Sequence, residues 1–280
     1  TGREENLRPF LDRIEFLRGS VADPTTVARA IDGVDGVFHQ AAIPSVPRSV
    51  ANPVATHVSI VDGTLVLLEA LRKSGRSKMV MASSSSVYGE TPELPKREEM
   101  ATRPQSPYAV AKLTAEQYTL VYSRLFGVKT VALRYFNVFG PGQDPKSEYA
   151  AVIPRFITAA LEGRSPVIYG DGTQSRDFTY VANVVDANLK AMQSDVTGER
   201  FNIAGGEQVT LLELVAQLAR ILDRPLKPEL APPRAGDIKH SFAAIESARA
   251  AFDYVPSVDF ATGLRLTAEQ LVAARQGRAR

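Results

Sequence analysis

The feature that most constrains this 280-residue chain is the stretch from Met79 to Lys112. A short apolar run, 79–82, predicts a buried strand, and it continues into four serines and Val87-Tyr88-Gly89. Ser106 and Pro107 are the residue types of a helix N-cap and a first helical position, so a helix is predicted to begin there. A buried strand, a polar loop and a helix in this order favour an α/β fold.

Tyr108 and Lys112 lie four residues apart on the predicted helix and therefore share one face. Free tyrosine has a pKa near ~10, and a neighbouring ammonium favours the phenolate and lowers that pKa. A Tyr-x-x-x-Lys pair alone is equally typical of a solvated helix face, and a serine run alone of a plain loop. The order of strand, serines and pair is what favours a catalytic base.

Strands and helices alternate along the first half of the chain. Strands are predicted at 14–17, 36–39, 79–82 and 129–133, and helices at 23–31, 53–73 and 107–127. This alternation predicts a doubly wound parallel sheet with helices on both faces. The second half predicts a smaller C-terminal α/β lobe. Its helices are predicted at 151–161, 183–192, 210–222, 245–252 and 260–274, and its short strands at 167–169, 178–181 and 201–203.

The predicted domains are a dinucleotide-binding domain over 1–141, with 178–193 packing back on it, and a substrate lobe over 142–280. A dinucleotide fold opens with a strand, a glycine-rich turn, a helix and an acidic residue about 20 residues later. The sequence has no such pattern. Either a βαβ opening precedes Thr1 in the natural chain, which we expect, or the protein binds no dinucleotide.

Composition disfavours several classes of function. The net charge is +2 with scattered basic residues, so no nucleic-acid partner is expected. The chain has no cysteine, and its three histidines lack metal-ligand spacing, so we expect neither disulfide nor metal site. No apolar run approaches the ~20 residues that span a membrane, and no signal peptide is visible. We expect a cytoplasmic protein.

The chain resembles the extended short-chain dehydrogenase/reductases, and within them the UDP-galactose 4-epimerases, over residues 1 to about 276. The motifs that carry this resemblance are His39-Gln40-Ala41-Ala42, 83–89, 106–112, 133–141, Gly170-Asp171-Gly172 with Arg176-Asp177-Phe178, and 233–237. The resemblance implies a Rossmann-like fold that binds NAD. It implies inversion at C4 of a UDP-hexose through a transient ketone. It also implies a homodimer that pairs the helices 53–73 and 108–126 in a four-helix bundle.

The resemblance also assigns roles to single residues. Tyr108 is the base, Lys112 binds the nicotinamide ribose and lowers the Tyr108 pKa, and Ser84 relays the proton or orients the substrate oxygen. The implied cofactor contacts are Ser20, Val21, Gln40, Ala41, Ala42, Ser59, Ala82, Tyr108, Lys112, Tyr135 and Phe136. The implied substrate contacts are Ser84, Ser85, Ser86, Asn137, Ala151, Val152, Tyr169, Arg176, Arg234, Asp237 and Ser241.

The chain departs from the family pattern at a few positions. The family usually has Asp at the position of Ser20 and Asn at the position of Ile60. It often has Asp at the position of Ala182, and some members have Lys at the position of Pro44. We therefore expect weaker or altered cofactor binding. Ser241 is small where many members have tyrosine beside the sugar. Together with the small Ala151 it implies room for an N-acetyl group.

Two other functions stay open at this point. A sugar-nucleotide dehydratase or decarboxylase of the same superfamily needs an acidic residue just before Val-Tyr-Gly, where this chain has Ser85 and Ser86. The other is a non-catalytic dinucleotide sensor. The presence of Ser84, Tyr108 and Lys112 disfavours it, whereas an actual loss of the glycine-rich turn from the natural chain would favour it.

Overall fold

The computed structural model describes residues 2, 4–75, 78–143, 151–233 and 239–278. The helices are α1 (Pro24–Ala30), α2 (Val46–Ala51), α3 (Pro53–His57), α4 (Gly63–Ser74), α5 (Pro107–Phe126), α6 (Val152–Leu161), α7 (Val181–Gln193), α8 (Leu211–Ile221), α9 (Glu246–Phe252) and α10 (Phe260–Arg278). A π turn spans Val58–Asp62, and 3₁₀ turns span Glu4–Asn6, Arg8–Phe10 and Ser85–Tyr88.

The strands are β1 (Gly36–His39), β2 (Lys78–Ser84), β3 (Thr130–Tyr135), β4 (Val138–Phe139), β5 (Val167–Tyr169), β6 (Ser175–Asp177), β7 (Thr179–Tyr180), β8 (Glu199–Ile203), β9 (Gln208–Thr210) and β10 (Glu229–Ala231). The order β1-β2-β3-β8 forms a four-stranded sheet, in which β1 runs parallel to β2. The predicted Rossmann-like α/β fold is confirmed.

Several helices begin at the capping residues that the sequence predicted. The Asp23 side chain accepts hydrogen bonds from the backbone amides of Thr25 and Thr26 at α1, and the Ser106 side chain accepts one from the amide of Ala109 at α5. Thr210 and Glu213 form the predicted capping box of α8. These side chains satisfy backbone N–H groups that have no partner inside the helix.

The strand predicted at 14–17 is wrong. These residues adopt no strand, and Ile14 and Phe16 are exposed. Among the described residues no strand lies on the outer edge of β1. An extended segment becomes a stable strand only when a neighbour satisfies its backbone hydrogen bonds.

The chain divides into two compact units. The first contains Thr1–Gly89, Thr102–Arg134 and Asn188–Phe201, and the second contains Glu90–Ala101, Tyr135–Ala187 and Asn202–Arg280. The segment Glu90–Ala101 therefore belongs to the second unit although it lies within the predicted first domain, and the next division falls after Arg134, before the predicted boundary at 141. Helix α7 is shared, because its residues from Asn188 onward belong to the first unit and the preceding ones to the second.

The first unit has helices on both faces of its sheet. Met79 and Met81 of β2 pack with Leu67, Leu68 and Ala115, which belong to α4 and α5. Side chains alternate along a strand, so Lys78 points to the other face. There its ammonium donates to the carbonyls of Ala191 and Ser194 at the C-terminal end of α7, at 2.7 and 2.5 Å.

The stretch from α3 to α4 is one helical segment interrupted by the π turn at Val58–Asp62. It is long and apolar enough to span a membrane by length and composition, which corrects the expectation that no such run exists. Within the described fold, 44% of its most apolar window is buried, and Leu67, Leu68 and Leu71 belong to the core. That burial is typical of a core helix.

The second unit has its own core and several small sheets. Phe139, Phe156, Phe178 and Phe260 pack with aliphatic residues of α6, α8 and α10. The Phe178 and Phe260 rings stack with centroids 5.4 Å apart. Strands β5 and β10 pair in parallel, as do β4 and β7, whereas β6 and β9 pair antiparallel. These short ladders hold the loops that carry the predicted substrate residues.

Candidate active site

The predicted catalytic residues of the first unit are brought together where β2 ends and α5 begins. The Lys112 ammonium donates to the carbonyl of Ala82 at 2.7 Å. The Ser84 hydroxyl is hydrogen-bonded to the Tyr108 phenol. Ser86 donates to the Ser84 oxygen at 2.9 Å, so the Ser84 proton is available for Tyr108. Ser84 and Tyr108 therefore form a hydrogen-bonded pair, and Lys112 is held at the same end of β2 by the backbone of Ala82.

Burial controls the protonation of this site. It raises the pKa of Tyr108 above its ordinary value, and the hydrogen bond from Ser84 opposes that rise. It lowers the pKa of Lys112 to about 8. In the protein without ligands, burial therefore keeps the pKa of Tyr108 above its ordinary value, and the lowering of that pKa by Lys112 stays a prediction.

His39 is a buried neutral residue at the end of β1. Its Nε2 lies 2.9 Å from the Thr64 hydroxyl oxygen, and that hydroxyl donates to the carbonyl of Ile60 at 2.5 Å. Because the Thr64 proton is already used, the bond requires a proton on Nε2 of His39. Burial and the nearby Lys112 charge lower the pKa of His39 to about 4.

A buried ion pair lies one helical turn beyond Lys112. Arg134 Nε and a terminal guanidinium nitrogen donate to the two Glu116 oxygens at 2.9 and 2.6 Å, and the residues are 1% and 0% exposed. The Ser83 hydroxyl donates to the same carboxylate at 2.6 Å. The Arg134 guanidinium also lies 4.7 Å from the centre of the Tyr88 ring. Sequence reasoning missed Glu116, although its spacing of four from Lys112 and eight from Tyr108 placed it on the same helix face.

The donors of the first unit fit a dinucleotide. The described residues offer the buried Lys112 ammonium one acceptor, the Ala82 carbonyl, and an ammonium carries three N–H groups. Two donors therefore fit ribose hydroxyls. The loop that carries Ser20 and Val21 packs tightly on α4. A Cβ atom added to Gly63 would come within 2.5 Å of the Val21 side chain.

The other predicted cofactor residues lie on several elements. Gln40, Ala41 and Ala42 follow β1, Ala82 is buried in β2, and Ser59 lies in the π turn with its hydroxyl bonded to Thr56. In the second unit, Tyr135 is half-buried. Phe136 is fully buried, and its backbone bonds to Ile203 and Thr179. Cofactor contacts of these residues stay predictions.

Five predicted substrate residues line one cavity of about 300 Å³ in the second unit, namely Asn137, Ala151, Val152, Tyr169 and Arg176. Carbonyls of Ser175 and Lys239 fix one end of the Arg176 guanidinium at 2.8 and 3.1 Å. The same cavity is lined by Arg155 and Gln174, which sequence reasoning missed. Arg155 lies four residues after Ala151, on the same side of α6.

Ser241 does not line that cavity. It lies on the segment 239–244, and its backbone amide donates to the carbonyl of Ser175 at 3.1 Å. The buried Asp177 carboxylate accepts from the amide of Ala243 at 3.3 Å, and burial raises its pKa to about 7 against these backbone bonds. Predicted contacts Arg234 and Asp237 lie outside the described residues, whereas Ser85 and Ser86 lie half-buried in the 3₁₀ turn after β2.

Comparison with known proteins gives a consistent result. Residues 1–204 match the family model "NAD dependent epimerase/dehydratase family". A UDP-glucose 4-epimerase of Mycolicibacterium smegmatis is 37% identical over 273 residues, covering 96% of this chain and 87% of that protein. The structure of a UDP-N-acetylglucosamine 4-epimerase from Methanobrevibacter ruminantium M1, in complex with UDP-N-acetylmuramic acid, matches with a TM-score of 0.94. The two sequences are 39% identical, and the match covers 98% of this chain and 88% of that one. A Thermus thermophilus UDP-glucose 4-epimerase in complex with NAD matches with a TM-score of 0.87 at 36% identity, with coverage of 98% and 89%.

His39 makes the stability of the fold depend on pH. Its pKa is about 4 when folded and about 6.5 when unfolded, so the unfolded chain binds the extra proton between these values. The free energy of unfolding should therefore fall by about 3 kcal/mol as the pH falls from 6.5 to 4. Urea unfolding of His39→Gln should lack this part of the pH dependence. The matched variant His57→Gln alters an exposed histidine and should keep the pH dependence of the parent. An equal pH dependence in the parent and both variants would contradict the assignment of this effect to His39.

Proposed function

The chain belongs to the NAD dependent epimerase/dehydratase family, and from this premise we propose that it inverts C4 of a UDP-hexose through a 4-keto intermediate with NAD as its cofactor. The observation that carries this proposal is the bonded pair of Ser84 and Tyr108 beside the buried Lys112 ammonium. The named relatives act on UDP-glucose and UDP-N-acetylglucosamine, which supports a UDP-hexose as substrate.

Each catalytic side chain has a role that its environment supports. Tyr108 accepts the proton of the substrate 4-hydroxyl, directly or through Ser84, and later returns it. The Ser84 hydroxyl donates to the phenolate while the proton is away, which stabilises the charged form. When bound, NAD supplies reversible hydride transfer at C4. The Lys112 ammonium holds the nicotinamide ribose and adds positive charge next to the site.

The second unit binds the nucleotide in this proposal. Arg176 and Arg155 line the same cavity as the aromatic Tyr169, and guanidinium groups suit a pyrophosphate because they donate forked hydrogen bonds. Dehydration or decarboxylation is disfavoured because Ser85 and Ser86 provide no carboxylate in the turn after β2. The free protein keeps the reactive proton on Tyr108, so binding of substrate and cofactor must favour the phenolate.

We also propose that the N-acetylhexosamines are substrates. Ala151 is a small residue of the cavity wall, and the small Ser241 lies outside that cavity but bonds through its amide to Ser175, next to the cavity residue Arg176. In this proposal, small residues at both positions leave room beside C2 of the sugar. A close-packed wall would not accept the additional atoms of an N-acetyl group without strain.

A second copy of the chain is the proposed partner of the first unit. Helix α5 exposes Val110, Tyr118, Val121 and Leu125, and Leu125 is 67% exposed. The neighbouring α2 and α3 expose Val50 and Val54. Contiguous apolar surface on paired helices is typical of an interface, and two such pairs form a four-helix bundle.

Tyr108→Phe should abolish turnover while leaving UDP binding intact. The variant removes the hydroxyl that accepts the proton but keeps the ring, so kcat should fall by about 10² to 10⁴. The assay is interconversion of UDP-glucose and UDP-galactose, with the Kd of UDP from calorimetry. Tyr118→Phe, on the exposed side of the same helix, should match the parent. Turnover of Tyr108→Phe within tenfold of the parent would place the base elsewhere.

Ser241→Tyr should remove activity on the N-acetylated sugar selectively. The ratio of kcat/KM for UDP-N-acetylglucosamine to that for UDP-glucose should fall about tenfold, which corresponds to about 1.4 kcal/mol of strain. Ser165→Tyr, on an exposed loop of the same unit, should leave the ratio unchanged. A parent inactive on UDP-N-acetylglucosamine, or an unchanged ratio in Ser241→Tyr, would exclude this role.

Leu125→Glu should convert the dimer into a monomer. A carboxylate buried in the proposed apolar interface must be desolvated without a partner, which opposes association. Sedimentation velocity should show a dimer for the parent and a monomer for Leu125→Glu. The variant Val255→Glu, which alters an exposed apolar residue of the second unit, should remain dimeric. A monomeric parent at micromolar concentration would refute the proposal.

A further inference from the structure

We infer that Ser83, Glu116 and Arg134 form a strand clamp that positions the Ser84 hydroxyl against the Tyr108 phenol. The inference rests on the proposed function, because it names positioning residues for that reaction. None of the three clamp residues is placed in contact with substrate or cofactor. Their role is to fix the end of β2 on the helix that carries the base.

Three residues of α5 bond to three consecutive residues at the end of β2. Tyr108 bonds to Ser84, Lys112 to the carbonyl of Ala82, and Glu116 to the hydroxyl of Ser83. Tyr108, Lys112 and Glu116 are spaced by four residues and share one helix face. The strand end is therefore held by three successive bonds from the helix, and two of them belong to the reacting site.

The bond from Ser83 fixes the direction of the next residue. Ser83 and Ser84 are joined by one peptide unit at the end of β2, and a rotation of that unit changes the direction of both side chains. Ser83 is buried, and its hydroxyl reaches Glu116 at 2.6 Å. When this bond is present, the peptide between Ser83 and Ser84 is held in one orientation, and so is the Ser84 hydroxyl. Without it, the described bonds of the Ser84 side chain are those within its own turn and the one to Tyr108.

The ion pair makes the clamp rigid. Glu116 accepts two parallel hydrogen bonds from Arg134, a geometry that allows little rotation of either side chain. The Tyr88 ring covers the guanidinium, and Tyr88 belongs to the turn that follows Ser84. Buried ion pairs contribute little net stability, because desolvation offsets their attraction. We therefore assign the ion pair a role in fixing the geometry of the strand end, rather than a role in stability alone.

Ser83→Ala tests the clamp with the smallest change. It removes one hydroxyl and leaves the ion pair intact, whereas a change at Glu116 would leave Arg134 buried without its partner and destabilise the fold. With UDP-glucose, kcat should fall about tenfold, less than the 10²-fold that a 1 Å displacement can cause. The KM for UDP-glucose and the Kd of UDP should stay within twofold of the parent, because the nucleotide contacts are unchanged.

Lys78→Met is the matched control. Lys78 is a buried polar residue at the other end of the same strand, and its loss leaves helix carbonyls of α7 without their donor. Its thermal unfolding midpoint should fall at least as much as that of Ser83→Ala, with kcat within twofold of the parent. Equal losses of kcat in both variants would mean that stability, and not position, explains the effect, and would overturn the inference.

A second readout needs no turnover. In protein labelled with ¹³C at tyrosine Cζ, the Tyr108 resonance is identified by its absence in Tyr108→Phe, and it reports the hydrogen bond to the phenol. It should shift in Ser83→Ala and remain in place in Lys78→Met. A parent without epimerase activity would refute the proposed function, and this resonance would still test the clamp. An unshifted resonance together with an unchanged kcat in Ser83→Ala would refute the clamp itself.

Discussion

The bidentate pair between Glu116 and Arg134 is the interaction on which the first unit depends most directly. It joins α5 to β3, and through Ser83 it also holds β2, so three elements meet at two fully buried charges. Such charges tolerate only an arrangement in which each hydrogen-bonding group has a partner. A shift of the helix along the sheet by one turn would leave both ions unpaired. The pair therefore fixes the register between the helix and the strands, and hydrophobic packing, which is not directional, could not fix it alone.

The same burial determines the chemistry of the site. In the unliganded protein, desolvation keeps the proton on Tyr108, lowers the pKa of Lys112 to about 8 and keeps His39 neutral. Each group thus lies closer to its uncharged form than it would in water. In the proposed reaction, the positive charge of an oxidised nicotinamide would favour the phenolate, whereas negative charges near the phenol would oppose it.

Local sequence rules predicted the parts of the fold that local interactions determine. The N-caps at Asp23 and Ser106, the box of Thr210 and Glu213, and the shared face of Tyr108 and Lys112 each depend on residues within a turn or two. The 14–17 strand failed because a strand depends on a distant neighbour. The Tyr108 pKa and the role of Glu116 were missed for a related reason: desolvation and the partner Arg134 come from tertiary packing, which spacing alone does not reveal. The cavity residues Arg155 and Gln174 likewise come together only through folding of the second unit.

The π turn at Val58–Asp62 has a consequence for how this helical segment can change in evolution. A wide turn contains one more residue than a regular turn, so every side chain after it is rotated by about 100° around the helix axis. The turn therefore acts as a phase shift between two halves with different tasks. Val54 faces outward before it, and Leu67, Leu68 and Leu71 face the core after it. Straightening the turn into a regular helix of the same length would rotate these three leucines away from the core, whereas deleting one residue within Val58–Asp62 would remove the wide turn and keep the two halves aligned. The extra residue and the wide turn therefore depend on each other, and neither can be lost alone without misplacing the core leucines.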